Sequence, residues 1–328
     1  MGAMANLPLT LACWDYDRTR PLIDGRIAPD GIDLSVQVHR PHVTFSRMLE
    51  RQEFDVSEMS LSSYVALVAK GDCPFVAIPV ALSKIFRHSC IFVRPEAGIR
   101  TPQDLKGKRV GSIRYGSTGV VFIRGFLQDD YGLRAEDFQW VLGRLNMATD
   151  PIDMDPPKLP DGVQARPAPD TLERLLERGE LDALFTLYIP QAFEAGAPWI
   201  TRLFPNYKEV EQDWYARTRI FPIMHTVVIR RDLYEREPWI ARALYQAFCQ
   251  ARDLAVDGLY DTDALRLALP WLIDHVEEAR RVLGPDYWAY GLEANRPTFA
   301  AVGRYLLEQG AAPRLVSPDE LFVPGSEG

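Results

Sequence analysis

The sequence predicts an α/β protein made of two similar lobes, and three observations predict it. The pattern Leu49-Glu50-Arg51-Gln52-Glu53-Phe54-Asp55-Val56 returns as Leu176-Glu177-Arg178-Gly179-Glu180-Leu181-Asp182-Ala183. Each copy closes an amphipathic helical stretch and enters a short apolar run, which is half of a βαβ unit. At 328 residues the chain is also too long for one ordinary domain. Finally, a strand pattern at 225–230 follows the second set of elements and lets the chain return to the first lobe. Residues 1–94 plus 223–328 are expected to form lobe one, and 95–222 lobe two. The two crossings make a two-strand hinge, and paired lobes of this kind hold ligands in a central cleft.

The elements follow in order. Residues 7–13 and 32–38 read as strands, the second by strict alternation. Residues 44–52 read as a helix with Phe45, Met48 and Leu49 on one face, and 55–59 as the next strand. The serines at 60–63 suit the start of a helix that runs to Lys70 and closes at Gly71. Residues 75–80 and 89–93 are further strands. Thr101–Gly107 has the cap, first-turn proline and terminal glycine of a short helix. A strand at 109–113 leads through Arg114-Tyr115-Gly116-Ser117-Thr118-Gly119 into an apolar helix at 120–130. A loop opening into a helix in this way aims backbone N–H groups at an anion. Residues 145–169, rich in proline and aspartate, read as a surface excursion. Helix 171–178 and strand 182–187 form the second copy of the repeat, and the chain from Pro238 onward is mainly helical.

Composition narrows the function. The net charge of −8 argues against nucleic acid, which demands a basic surface. No apolar run is long enough to cross a membrane. The four cysteines are scattered without zinc-type spacing, so free thiols in a reducing compartment are expected. No basic segment followed by an apolar core opens the chain, so no signal peptide is expected. With Met1-Gly2-Ala3 read as an addition ahead of a native Met4, a cytoplasmic location is expected.

Several stretches resemble the 4,5-dihydroxyphthalate decarboxylase family, which has a type II periplasmic-binding-protein-like fold. They are Asp15-Tyr16-Asp17-Arg18-Thr19, Glu53-Phe54-Asp55-Val56-Ser57-Glu58-Met59-Ser60-Leu61-Ser62-Ser63-Tyr64 and Phe75-Val76-Ala77-Ile78-Pro79-Val80. Phe86-Arg87-His88-Ser89 and Tyr287-Trp288-Ala289-Tyr290-Gly291-Leu292-Glu293 complete the set, so the resemblance spans about residues 7–325. It implies a two-lobed fold with a central cleft, and a non-oxidative decarboxylase of an aromatic, dihydroxyphthalate-like carboxylate, working without a cofactor. The alternative is a solute-binding protein for a small anionic or aromatic ligand of an ABC-type transporter. Oligomeric state stays open, a homo-oligomer included.

Such a reaction sets its own requirements. Direct loss of CO₂ would leave an aryl anion; protonating the ring carbon first, pushed by a para phenolate, avoids it. The site needs an acid, a base and cations for the carboxylates. His88, next to Arg87, is the first candidate, against the plainer role of a core histidine. His225, at the start of the return strand, is the second. Glu58 lies in the apolar end of a strand, where burial would raise its pKa and make it a proton donor, unless it pairs with an arginine. Asp17 and Arg18 follow the first strand, where loops face ligands; the bland alternative is a turn ion pair. Arg18, Arg87 and Arg124 are the carboxylate binders by charge and geometry, although Arg124 could point to solvent. Ser60, Ser117 and Thr118 offer hydroxyl or N–H donors, and Tyr115 and Tyr188 could stack on a ring. His88, His225 and Glu58 would be the one two-histidine, one-carboxylate metal set. No paired histidine spacing supports it, and no metal is expected.

Overall fold

The computed structural model describes residues 5–146 and 159–327, so the reading of Met1–Met4 lies outside the described residues. The chain forms two compact units. The first holds residues up to 84, 223–299 and 316–328; the second holds 85–222 and 300–315. Among the described residues no helix is long and apolar enough to cross a membrane, and all four cysteines are free.

Strands β1 (Leu7–Cys13), β2 (Ile32–Val38), β3 (Val56–Ser60) and β4 (Phe75–Lys84) come first in the chain. β5 (Ile91–Val93), β6 (Arg109–Ser112), β7 (Gln139–Leu142), β8 (Gln164–Pro167), β9 (Ala183–Phe185) and β10 (Thr201–Arg202) follow. β11 (Ile223–Arg230) is the return strand. The first unit's sheet has the order β2-β1-β3-β11-β4. β1 runs parallel to β2 and β3, and β11 runs antiparallel between β3 and β4. Helices Pro41–Arg51 and Leu61–Lys70 pack on β3, and the long helix Ile240–Gly258 on β4. β3 is buried along its whole length, so the polar side chains it carries must find partners inside.

The second unit's sheet has the order β10-β5-β9-β6-β7-β8, parallel except for β5, which runs antiparallel to both its neighbours, β10 and β9. Phe92, Leu172, Leu175, Leu176, Leu181 and Leu184 are part of its core. Gly111 is required there: a Cβ would stand 2.7 Å from Leu181 and 2.8 Å from Leu184.

The octapeptide repeat does the same mechanical work in each unit. Asp55 accepts hydrogen bonds from the backbone N–H (2.9 Å) and hydroxyl (2.8 Å) of Thr10 in β1, the parallel neighbour of β3. Asp182 accepts from the backbone N–H (2.9 Å) and guanidinium of Arg109 in β6, the parallel neighbour of β9. The shared aspartate thus staples a helix-to-strand turn to the next strand. Both are tied up structurally.

Three expectations are corrected. Strand Ile91–Val93 belongs to the second sheet, where it pairs with β9 and β10, so the chain leaves the first unit at Lys84 rather than near residue 94. Residues 300–315 also belong to the second unit, because Arg304 and Tyr305 bond Asp129, and Gln309 bonds Arg124 and the carbonyl of Val121. In the 145–169 excursion, residues 147–158 lie outside the described residues, while Gln164–Pro167 forms the edge strand β8. An edge position tolerates the proline that hides such a strand from sequence reading.

Candidate active site

In open α/β sheets the carboxyl ends of parallel strands face ligands. In the first unit β1 and β3 end side by side. β3 ends at Ser60, which also starts helix Leu61–Lys70. Glu58 and Ser60 lie two positions apart and share a face of β3. The antiparallel register sets His225 of β11 opposite Ser60, on that same face. Two residues far apart in sequence are thereby brought together.

Glu58 is fully buried and is the hub. Its Oε1 lies 2.6 Å from Nδ1 of His225 and accepts a 2.6 Å hydrogen bond from the Tyr16 hydroxyl. Its Oε2 accepts from the Trp14 backbone N–H at 2.8 Å. Burial alone would raise the carboxyl pKa. The bonds from His225, Tyr16 and Trp14 outweigh it and hold the group below its ordinary range. This corrects the expectation of a raised, protonated Glu58: the residue is an anion, and an anion accepts. His225 Nδ1 therefore carries the proton of that bond. Tyr16 stays a phenol, because burial and the Glu58 charge push its pKa well up. Phe45 meets the imidazole edge-on at 4.9 Å. The His225 side chain is 19% exposed, and among the described residues nothing hydrogen bonds its Nε2. The result is an imidazole fixed on one side by a buried carboxylate and open on the other. That arrangement fixes the orientation of the ring and leaves Nε2 available for proton transfer.

Arg18 stands beside this group. Its guanidinium lies 4.1 Å over the Tyr16 ring and 4.6 Å over Trp288. Nε donates to the carbonyl of Leu82 at 2.5 Å, and Nη1 to Asp17 at 2.9 Å. Asp17 is exposed and makes the turn ion pair that was its bland alternative. The Ser60 hydroxyl lies 3.2 Å from that of Ser62. Two features of this unit escaped sequence reading. Tyr16 was visible only as part of the Asp15–Thr19 stretch. Lys84 ends a strand that runs four residues past its expected limit at Val80. Its amine donates to the Ala289 carbonyl at 3.0 Å, and burial pushes its pKa down to about 7.

The other candidates lie in the second unit and form no comparable group. His88 is a core ring, stacked on Phe126 at 3.9 Å with Phe204 and Trp214 edge-on. Neither ring nitrogen has a hydrogen-bond partner among the described residues. Burial, helped by Arg217, lowers its pKa to about 3, so it is neutral and its 3.9 Å approach to Glu211 is no ion pair at neutral pH. The first-choice acid–base residue is corrected to a packing residue. Arg124 does not point to solvent. It is buried, donates to Gln309 and the Tyr115 carbonyl, and stacks at 3.8 Å on the Tyr115 ring. Tyr115 is buried against Trp140. Arg87 is buried and packs over Gly119, with Nη1 3.6 Å from the Cys90 sulfur. Ser117 holds the position before the helix Thr118–Tyr131, but its hydroxyl makes no capping bond and donates instead to the Arg114 carbonyl; Thr118 is buried in the first turn. Tyr188 is 44% exposed.

Relatives decide the family. A model of phosphonate periplasmic substrate-binding proteins of ABC transporters matches residues 27–148. A Comamonas testosteroni protein named 4,5-dihydroxyphthalate decarboxylase is 40% identical over 328 residues, 98% of each chain. The chain belongs to the 4,5-dihydroxyphthalate decarboxylase family. A Pseudomonas putida protein of the same name is 38% identical over 214 residues, 65% of this chain and 83% of its own. A periplasmic sulfonate-binding protein from Methylobacillus flagellatus shares the fold at 13% identity, with a TM-score of 0.57 over 99% of this chain and 93% of its own. This family member therefore has a type II periplasmic-binding-protein-like fold.

Among the described residues no three His, Cys, Asp or Glu side chains are placed to hold a metal ion. Of the set considered for a metal, His88 is packed into the second unit's aromatic core. For this decarboxylase family member, His88→Phe is expected to keep turnover within about twofold, since phenylalanine preserves the stack and no proton passes through a buried neutral ring. CO₂ release by the purified variant checks this; a drop of ten-fold or more would return His88 to the chemistry.

Proposed function

We propose that this enzyme, a carboxy-lyase by family, removes CO₂ from a hydroxylated aromatic carboxylate of the dihydroxyphthalate kind, with His225 as proton donor to the ring carbon. The buried Glu58–His225 pair carries the reading. A receptor needs donors and cations; it has no use for an imidazole backed by a buried carboxylate. In the proposed reaction the hydroxyl para to the departing carboxylate gives up its proton as Nε2–H of His225 protonates the carbon bearing that carboxylate. The C–CO₂ bond then breaks, its electron pair restores the aromatic ring, and the phenol regains a proton. One proton is consumed overall and enters the product C–H bond. Glu58 stabilises the imidazolium before transfer, and Tyr16 and the Trp14 N–H keep the carboxylate ionised and fixed.

Incubation of the purified protein with 4,5-dihydroxyphthalate is expected to release CO₂ and form 3,4-dihydroxybenzoate. Tight binding of the compound with no CO₂ formed would favour the solute-receptor reading and end this one.

A further inference from the structure

We propose that Arg18 grips the carboxylate the substrate keeps, and so makes the enzyme selective for aromatic ortho-dicarboxylates. The consequence for turnover rests on the decarboxylase reading above; the grip itself is a binding property. The chemical need is plain. In 4,5-dihydroxyphthalate each carboxylate lies para to a hydroxyl. The product, 3,4-dihydroxybenzoate, still has a carboxylate para to a hydroxyl, and the Glu58–His225 pair has no means of telling one from the other. Stopping after one CO₂ demands recognition of the second carboxylate in the ground state.

Arg18 is placed for that task. Its guanidinium is one ring's thickness from the proton-transfer group: it covers Tyr16 at 4.1 Å, and Tyr16 bonds Glu58. The side chain is pinned before any ligand arrives, by the Leu82 carbonyl at Nε, by Asp17 at Nη1 and by Trp288 on the ring side. Little rotamer freedom is left to lose on binding. Its other terminal nitrogen, Nη2, has no hydrogen-bond partner among the described residues, and the side chain keeps 14% of its surface exposed. Tyr16 and Trp288 both lie against the guanidinium and fix its plane, so the charge is held in one orientation for a planar anion.

The same cation on the departing carboxylate would work against the reaction. That group loses its charge as CO₂ leaves, so an arginine there would stabilise the ground state more than the transition state. On the retained carboxylate the attraction is equal in both states, and it anchors the ring without slowing the step. Selectivity then appears as binding, by about 10- to 100-fold for one charge-assisted contact.

Phthalate and benzoate test this directly, since neither has the hydroxyl needed for reaction. Titration calorimetry on the wild-type protein is expected to show phthalate binding at least ten-fold more tightly than benzoate. Arg18→Gln should reduce that ratio to about one through weaker phthalate binding, and Arg18→Lys should restore part of it. A wild-type protein with no preference, or a glutamine variant that keeps it, overturns the proposal. So does a glutamine variant that loses benzoate as fully as phthalate, because Arg18 would then be a prop for the Tyr16–Trp288 stack. A clear preference for phthalate without CO₂ from 4,5-dihydroxyphthalate would instead remove the decarboxylase reading and leave the grip standing.

Discussion

His225→Gln is expected to slow CO₂ release from 4,5-dihydroxyphthalate by about 10²- to 10⁴-fold, the usual loss when a positioned acid is removed. Glutamine is of similar length and can still donate to Glu58 Oε1, so the 2.6 Å contact at Nδ1 has a replacement while the proton at Nε2 does not. Phthalate binding should survive, because the ring nitrogen removed acts on carbon and not on the carboxylates. The measurement is kcat and KM from CO₂ evolution, with the loss in kcat. A loss confined to KM would make His225 a binding residue only.

Glu58→Gln is expected to have the second large effect, on both activity and stability. The carboxylate accepts three hydrogen bonds, from Trp14, Tyr16 and His225. An amide in its place accepts at one end only and sets an N–H against the donor left at the other. Placing donor against donor in a fully buried position costs about 1–3 kcal/mol. Turnover should fall about 10²-fold or more, because the imidazolium loses its counter-charge. The pH dependence has a definite sign. The folded Glu58 carboxyl has a lowered pKa, so its contribution to stability is complete above the unfolded value, about 4.3, and disappears as pH falls through the folded value. The melting-temperature gap between wild type and Glu58→Gln should therefore narrow in acid below about pH 4. A gap that widens in acid would mean that Glu58 is protonated in the native protein.

Much of the frame was legible in the chain. β1 and β2 were legible at their observed limits, β2 by its alternation, and Gly71 ends its helix with a positive φ of 93°, as a glycine after a helix should. The repeat pointed rightly to two helix-to-strand turns. Its aspartates proved to be staples, a role that needs Thr10 and Arg109 from neighbouring strands. Edge strands such as β8 were lost because few apolar residues are needed where one side is unpaired.

The site was half legible, for a physical reason. Residue type and strand position singled out Glu58 and His225, but local sequence carries no register between β3 and β11, and register is what joins them. The charge state of Glu58 was misread because burial was visible and the three donors were not. His88 misled for the opposite cause. The arginine before it suggested a polar site, whereas the rings that enclose it, Phe126, Phe204 and Trp214, come from distant segments.

A double-mutant cycle on Glu58→Gln and His225→Gln, read as kcat for CO₂ release, tests the central claim most directly. If the two side chains form one proton-transferring unit, the double variant should be no slower than His225→Gln alone, within about twofold. Losses that multiply would show two independent contributions and contradict a Glu58-backed His225.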